Sequence, residues 1–337
     1  MSKSCKPLYP GLFLLGAATA LLVFAAPQTC AAALRQGLVL CGGPLLVSLF
    51  PFLVVSALIM RSGAGEVLGV LLWPVVRCIG LRSRSAGSVL LIGLVGGFAP
   101  AAAAAAEAVR SRELTPQEAS ALLPACICSG PSFVILTVGE QLLGSCTAGV
   151  CLFAAQVLAG WLTAALLCRI RGIPEPLPVP PAAAQAEPPP ALDAILAQAA
   201  VTYLKLCGFV LYFRLLAAGC GLLLPAALAP FPAMLLEVCS GCDYAARTGL
   251  WSSGLCCAAL SVQGASVLLQ VRTLCPPEVS FKPYYGAGHC TCRFRWRCFI
   301  WACRSVPWKA SIPCAAGWCP CVACRQTAPC WCLQFAV

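Results

Sequence analysis

Between Leu38 and Met60 the chain runs for 23 residues without a charged side chain. That is enough for one α-helix to cross the roughly 30 Å hydrocarbon core of a bilayer. Comparable apolar runs recur as far as His289, and they decide the class of fold. Apolar residues make up 60% of the 337 and charged residues 10%, against about half and about a quarter in soluble domains. No single soluble core of this length can hide so much hydrocarbon, so most of it must face lipid. The reading is an all-α polytopic membrane protein whose main partner is the lipid bilayer.

The charge balance fits that class. Lys and Arg number 22 against 11 acidic residues, an excess that in a soluble domain would point to nucleic acid. Here the basic residues stand singly between apolar runs, as at Arg61, Arg77, Arg82 and Arg84. This is the pattern of connections on the inner side of a bilayer, so no nucleic-acid partner is expected. Cysteines before His289 are scattered through apolar segments, where they act as small hydrophobes rather than bridges.

Punctuation within the apolar runs carries more information than their length. Residues 1–33 have a basic start and one apolar run, read as an uncleaved first helix rather than a cleaved signal. "EVLGVLLWPVVRCIG" is short and broken by Pro74, like a half-helix or re-entrant piece. "SAGSVLLIGLVGGFAPAAAAAAEAV" breaks at Gly96–Pro100 and resumes as an alanine helix. After the polar "RSRELTPQEAS", Thr115 is placed to cap a helix with Pro116 first and Glu118 three residues on. "ALLPACICSGPSFVILTVGEQLLGS" is interrupted at Ser129-Gly130-Pro131, and Thr147–Cys168 reads as an ordinary span. A proline-rich linker over 172–192 then separates two membrane halves, 34–171 and 193–288.

The halves look related. "SVLLIGLVGGFAPAAAAAA" aligns with "AMLLEVCSGCDYAARTG", and "CICSGPSFVILTV" with "CCAALSVQGASVLLQV", each pair in the same order. Broken apolar segments in corresponding places of two halves are the best sequence pointer to a transporter-like site. The expected architecture is thus two related halves with broken or re-entrant helices.

Five segments, "GGPLLVSLFPFLVVSALIMRSG", "GLVGGFAPAA", "CICSGPSFVILTVGEQLLGS", "LLEVCSGC" and "SFKPY", resemble in order the YlbJ-type sporulation integral membrane proteins. These belong to the nucleoside-recognition or gate-domain membrane proteins, and the resemblance covers roughly residues 8 to 285. It implies a multi-pass inner-membrane protein, in the mother-cell or forespore membrane, with a role in spore cortex formation. A gate domain further implies a transporter-like carrier of an unidentified small solute. The chain departs from the family at one place: Ala99 separates Phe98 from Pro100, where the family break reads Gly-aromatic-Pro.

Glu140 and Glu237 fall inside apolar runs, and a carboxylate at bilayer depth costs a few kcal/mol unless paired, protonated or wetted. Together with Gln141, Gln263, Ser129, Gly130, Gly97 and Gly241 they are the candidate ligands of a central polar pocket for a small solute or coupling ion. The competing reading puts both carboxylates at the interface as helix-end anchors. No classical enzyme constellation, cofactor fingerprint or metal motif is present, so neither an enzyme nor a cofactor is expected. The remaining alternative is a non-transporting membrane scaffold for spore envelope assembly.

Residues 289–337 break the pattern. Ten of the 26 cysteines and five of the eight tryptophans follow His289, the chain's one histidine. "CPCVAC" has thiolate spacing suited to metals, but the ten cysteines follow no regular ligand spacing. In a GC-rich gene a one-base slip converts leucine codons into cysteine and tryptophan codons. Plausible codons for "HCTCRFRWRCFIWAC" read one base earlier give an apolar, leucine-rich segment. The tail is therefore read as a frameshifted final membrane helix.

Overall fold

The computed structural model describes residues 10–62, 64–172, 191–225, 228, 230–249 and 252–280. The linker over 173–190 and the cysteine-rich tail lie outside the described residues, as does "FKPYY". Among the described residues all regular structure is helical. Four helical stretches, Pro27–Ile59, Cys146–Ile170, Leu192–Leu222 and Ser252–Leu274, are long and apolar enough to cross a membrane. Their outward faces carry bare hydrocarbon, with Val47 72% and Leu204 68% exposed. Apolar surface on this scale belongs in lipid, since soluble proteins rarely leave large apolar patches to water.

The chain opens with α1 (Pro10–Ala25) and α2 (Pro27–Leu40). The first long span starts at Pro27, so its opening turns fall inside the N-terminal segment that the sequence assigned to residues 1–33. Pro27 at the first turn gives up an N–H that has no helical partner there. Beyond α2 the helix widens to a π-helical turn over Cys41–Leu45 and continues as α3 (Leu46–Arg61). Pro44 explains the widening, because it lacks an N–H and its ring crowds the carbonyl one turn back. The Tyr203 hydroxyl donates to the Cys41 carbonyl in that turn.

The Pro74-containing piece is short, as its sequence suggested: α4 (Ala64–Gly69), a 3-10 turn, then α5 (Trp73–Ile79). Two half-length helices follow, α6 (Ser85–Gly96) and α7 (Phe98–Arg110). The alanine run of α7 is buried at Ala101, Ala102, Ala104, Ala105, Ala106 and Ala108. Side chains this small let neighbouring helices approach closely, and α6, α8 and α14 pack against this helix. Next, α8 (Pro116–Cys126) starts at the expected cap: Thr115 Oγ1 accepts from Glu118 N and Glu118 Oε2 accepts from Thr115 N, both at 3.1 Å. The continuation, Ser132–Leu142, is π-helical and packs along α9 (Cys146–Arg171).

Beyond the linker, α10 (Leu192–Leu222) packs on α2 and α3. Four short helices complete the described chain: α11 (Pro230–Leu236), α12 (Val238–Ala246), α13 (Ser252–Val262) and α14 (Gly264–Leu274). The core runs through α6, α7, α8, α12, α13 and α14, while α1, α3 and α10 present much of their surface outward.

Candidate functional site

Four interruptions define the centre of the molecule. The α6–α7 break is Gly97, at φ 80° and ψ −162°, a backbone conformation reserved almost entirely for glycine. The break after α8 runs from Ile127 to Pro131. Between α11 and α12 the chain is extended at Glu237, with φ −153°. Between α13 and α14 it turns through Gln263 at φ 60° and Gly264 at φ 76°.

These breaks pack in pairs. A Cβ on Gly97 would lie 2.8 Å from Gly130 N, and one on Gly264 would lie 2.9 Å from Glu237 N. Only glycine permits either approach. One bond then crosses from pair to pair, because Gln263 Nε2 donates to the Ile127 carbonyl at 3.1 Å. From α9, Gln156 Nε2 donates to the Ser129 carbonyl at 2.9 Å. Carbonyls freed where the helices stop are thus satisfied by buried amides, as membrane-embedded backbone requires.

A small cavity of about 30 Å³ opens beside the breaks, walled by Gly97, Ser129, Gly130, Glu237 and Gln270, with apolar side chains including Phe98 and Phe133. Glu237 is 2% exposed. It caps α12: Oε1 accepts from Cys239 N at 2.9 Å and Oε2 from Ser240 N at 2.6 Å. Two charge-assisted bonds at the positive end of a helix offset the cost of burying the carboxylate. Ser129 is buried and its Oγ has no hydrogen-bond partner, a costly condition that is rare in native proteins. Gln270 gives its amide nitrogen to Ser266 Oγ at 3.0 Å, leaving its carbonyl oxygen as an acceptor.

The sequence candidates separate cleanly in space. Gly97, Ser129, Gly130 and Glu237 meet at the cavity. Gln263 is a strut between breaks. Glu140 and Gln141 sit exposed at the end of the Ser132–Leu142 helix, beside the Gly144 turn, and do not reach the cavity. For Glu140 the arrangement is that of a helix-end residue, whereas Glu237 is interior. Gly241, aligned by sequence with the glycine break of the first half, lies within α12 and packs against Met234 Cα of α11. The break is four residues earlier, at Glu237.

The sequence reading missed a buried ion cluster beside the cavity. Arg214, in the middle of α10, is 1% exposed. Its Nη2 donates to Asp243 Oδ2 of α12 at 2.7 Å and to Gln36 Oε1 of α2 at 2.9 Å. Asp243 Oδ1 also accepts from Arg247 Nη2 at 2.9 Å, and the Arg214 guanidinium stands 5.4 Å from the Tyr244 ring centre. The rule that singled out the two glutamates, an ionised side chain inside an apolar run, applies equally to Arg214 and was the available signal. No group of three or more metal-ligating side chains occurs among the described residues.

Compared with protein-family models, with curated proteins and with solved structures, the chain gives no match in any of the three.

Proposed function

We propose that this protein is a multi-pass inner-membrane carrier of a small solute, built from two related halves, and that it serves spore cortex formation as its resemblance to YlbJ-type proteins implies. In this reading α6–α7 with α8 and its π-helical continuation form one broken pair, and α11–α12 with α13–α14 form the other. The observation that carries the proposal is the convergence of three of the four breaks, at Gly97, Ser129-Gly130 and Glu237, on one cavity with a buried carboxylate that caps α12. Half-helix ends around a central site are how membrane proteins hold solutes without exposing backbone to lipid. A scaffold has no use for such a cavity, where Gly97 holds a backbone conformation open only to glycine and Ser129 Oγ is left unpaired.

The natural Cys239 lines the cavity and supplies the test. The full chain is placed in oriented vesicles and treated from either side with a membrane-impermeant methanethiosulfonate, and modification of Cys239 is read by peptide mass spectrometry. A carrier exposes its site alternately, so Cys239 is modified from both sides, more slowly than exposed Cys146 or Cys220. A scaffold leaves Cys239 unmodified from either side, and that result removes the carrier reading.

A further inference from the structure

We infer that one end of the molecule is an arginine surface for anionic phospholipid headgroups, and that this end faces the cytoplasm. The inference is independent of what the cavity carries and needs only the membrane reading.

Three contacts and one short turn gather distant arginines at that end. The 26 residues of α9 span about 39 Å, from Cys146 to an arginine-bearing last turn. That last turn lies against the α5–α6 connection, since a Cβ on Gly80 would stand 3.5 Å from Cys168 Cβ. Ser83 Oγ in the connection donates to Glu118 Oε1 in the first turn of α8 at 2.7 Å, and α8 follows α7 after a short turn. Ser280 N donates to Ser120 Oγ at 2.9 Å, which brings the chain just beyond α14 to the same place. Arg77, Arg82 and Arg84, Arg110 and Arg112, Arg169 and Arg272 therefore share one end, and all are exposed. The same end carries Glu107, Glu113, Glu278 and the buried Glu118, so positive charge prevails.

The opposite end is poor in cations among the described residues. Ser252–Leu274 is long enough for one span and finishes at the arginine end. Arg247, just before its start, thus lies at the other end, where it is bonded to Asp243. Ser48 Oγ lies 3.1 Å from Thr137 Oγ1, which sets the early part of the span Pro27–Ile59, and with it Arg35, toward the Cys146 end.

Asymmetry of this kind orients helices, because connections bearing Lys and Arg stay on the cytoplasmic side. Headgroups are the partner because the arginines stand at the rim of lipid-facing hydrocarbon. Ile170, beside Arg169, is 71% exposed. The Arg77 guanidinium stands 5.7 Å from the Trp73 ring centre, an aromatic–cation pair suited to the interfacial layer. A guanidinium offers a planar fork of donors that matches phosphate oxygens, and anionic lipid of the inner leaflet supplies the complementary charge.

Two measurements on the full chain test this. In sealed vesicles of known sidedness, a membrane-impermeant methanethiosulfonate should reach Cys146 only from the outer side and Glu113→Cys only from the cytoplasmic side, as read by peptide mass spectrometry. The protein is also purified from mixed micelles of equal phosphatidylglycerol and phosphatidylcholine, and the retained lipid is measured by mass spectrometry. Wild type should hold phosphatidylglycerol in at least about threefold excess. Arg77→Gln/Arg84→Gln/Arg169→Gln should bring the ratio close to equality, and Arg35→Gln should leave it unchanged. Raised salt should lower the excess, whereas millimolar inorganic phosphate should not. Equal retention by wild type, or competition by phosphate, overturns the headgroup assignment. Cys146 reached from the cytoplasm, or unreached from the outer side, overturns the orientation. The wild-type lipid ratio decides the headgroup question even if the triple variant fails to fold.

Discussion

Replacing Asp243 by Asn tests the ion cluster at its most sensitive point. The substitution preserves shape and removes the negative charge facing Arg214, which is 1% exposed. Gln36 remains as a neutral acceptor and Tyr244 as an aromatic neighbour, but neither neutralises a guanidinium. Breaking a buried pair by removing one partner costs about 3–5 kcal/mol, because an uncompensated charge stays inside. The second pair behaves differently. Arg247 is 59% exposed, so its bond to Asp243 contributes about 0–1 kcal/mol. Arg247→Ala should therefore be nearly silent.

Arg214→Met leaves Asp243 with Arg247 and fills the site with hydrocarbon, so it should cost less than Asp243→Asn. The double variant Arg214→Met/Asp243→Asn should recover most of the loss, since no unpaired buried charge remains. Unfolding in mixed micelles by SDS titration, followed by tryptophan fluorescence, measures all four proteins. The reasoning fails if Asp243→Asn costs less than about 1 kcal/mol, or if Arg214→Met does not rescue it.

Other outcomes follow from the breaks and the cap. Gly97→Ala must adopt a glycine-only backbone and push its Cβ to 2.8 Å from Gly130 N. A loss above about 2 kcal/mol is expected in the same titration, exceeding that of Gly144→Ala, where φ is 67° but nothing lies within 4 Å. Gln263→Leu strips the Ile127 carbonyl of its donor and should cost about 1–3 kcal/mol, with faster hydrogen exchange at the break after α8. Thr115→Ala removes one side of the capping box and should cost about 1 kcal/mol, without changing Cys239 accessibility. For the tail, sequencing the codons for Tyr284 to His289 should show that a single-base change restores an apolar frame. An intact alternative frame with no such change would sink the frameshift reading.

Much of the local structure was legible because local chemistry sets it. Thr115, Pro116 and Glu118 specify a helix start whatever surrounds them, and the structure places α8 there. Gly96-Gly97 and Ser129-Gly130-Pro131 announced two of the four breaks, since glycine permits the required φ and proline cannot continue a ladder. The break at Glu237 carried no such signal. It is flanked by Leu236 and Val238, and the chain leaves helical geometry there so that the carboxylate can cap α12. Gln263 likewise takes a positive φ without being glycine, held by its bond to a carbonyl 136 residues away in sequence.

The amino-acid sequence by itself determined the solvent, because the ratio of hydrocarbon to charge settles what most side chains must face. It also determined the helical class and the first-half breaks. It did not distinguish Glu140 from Glu237: each is a carboxylate inside an apolar run of similar character. Tertiary packing made one an exposed helix-end residue and the other the buried wall of a cavity, and it brought Arg214 to Asp243. The physical reason is that composition along one run reports mean polarity in one dimension. Burial of a given charge depends on which other helices arrive, and those come from distant parts of the chain.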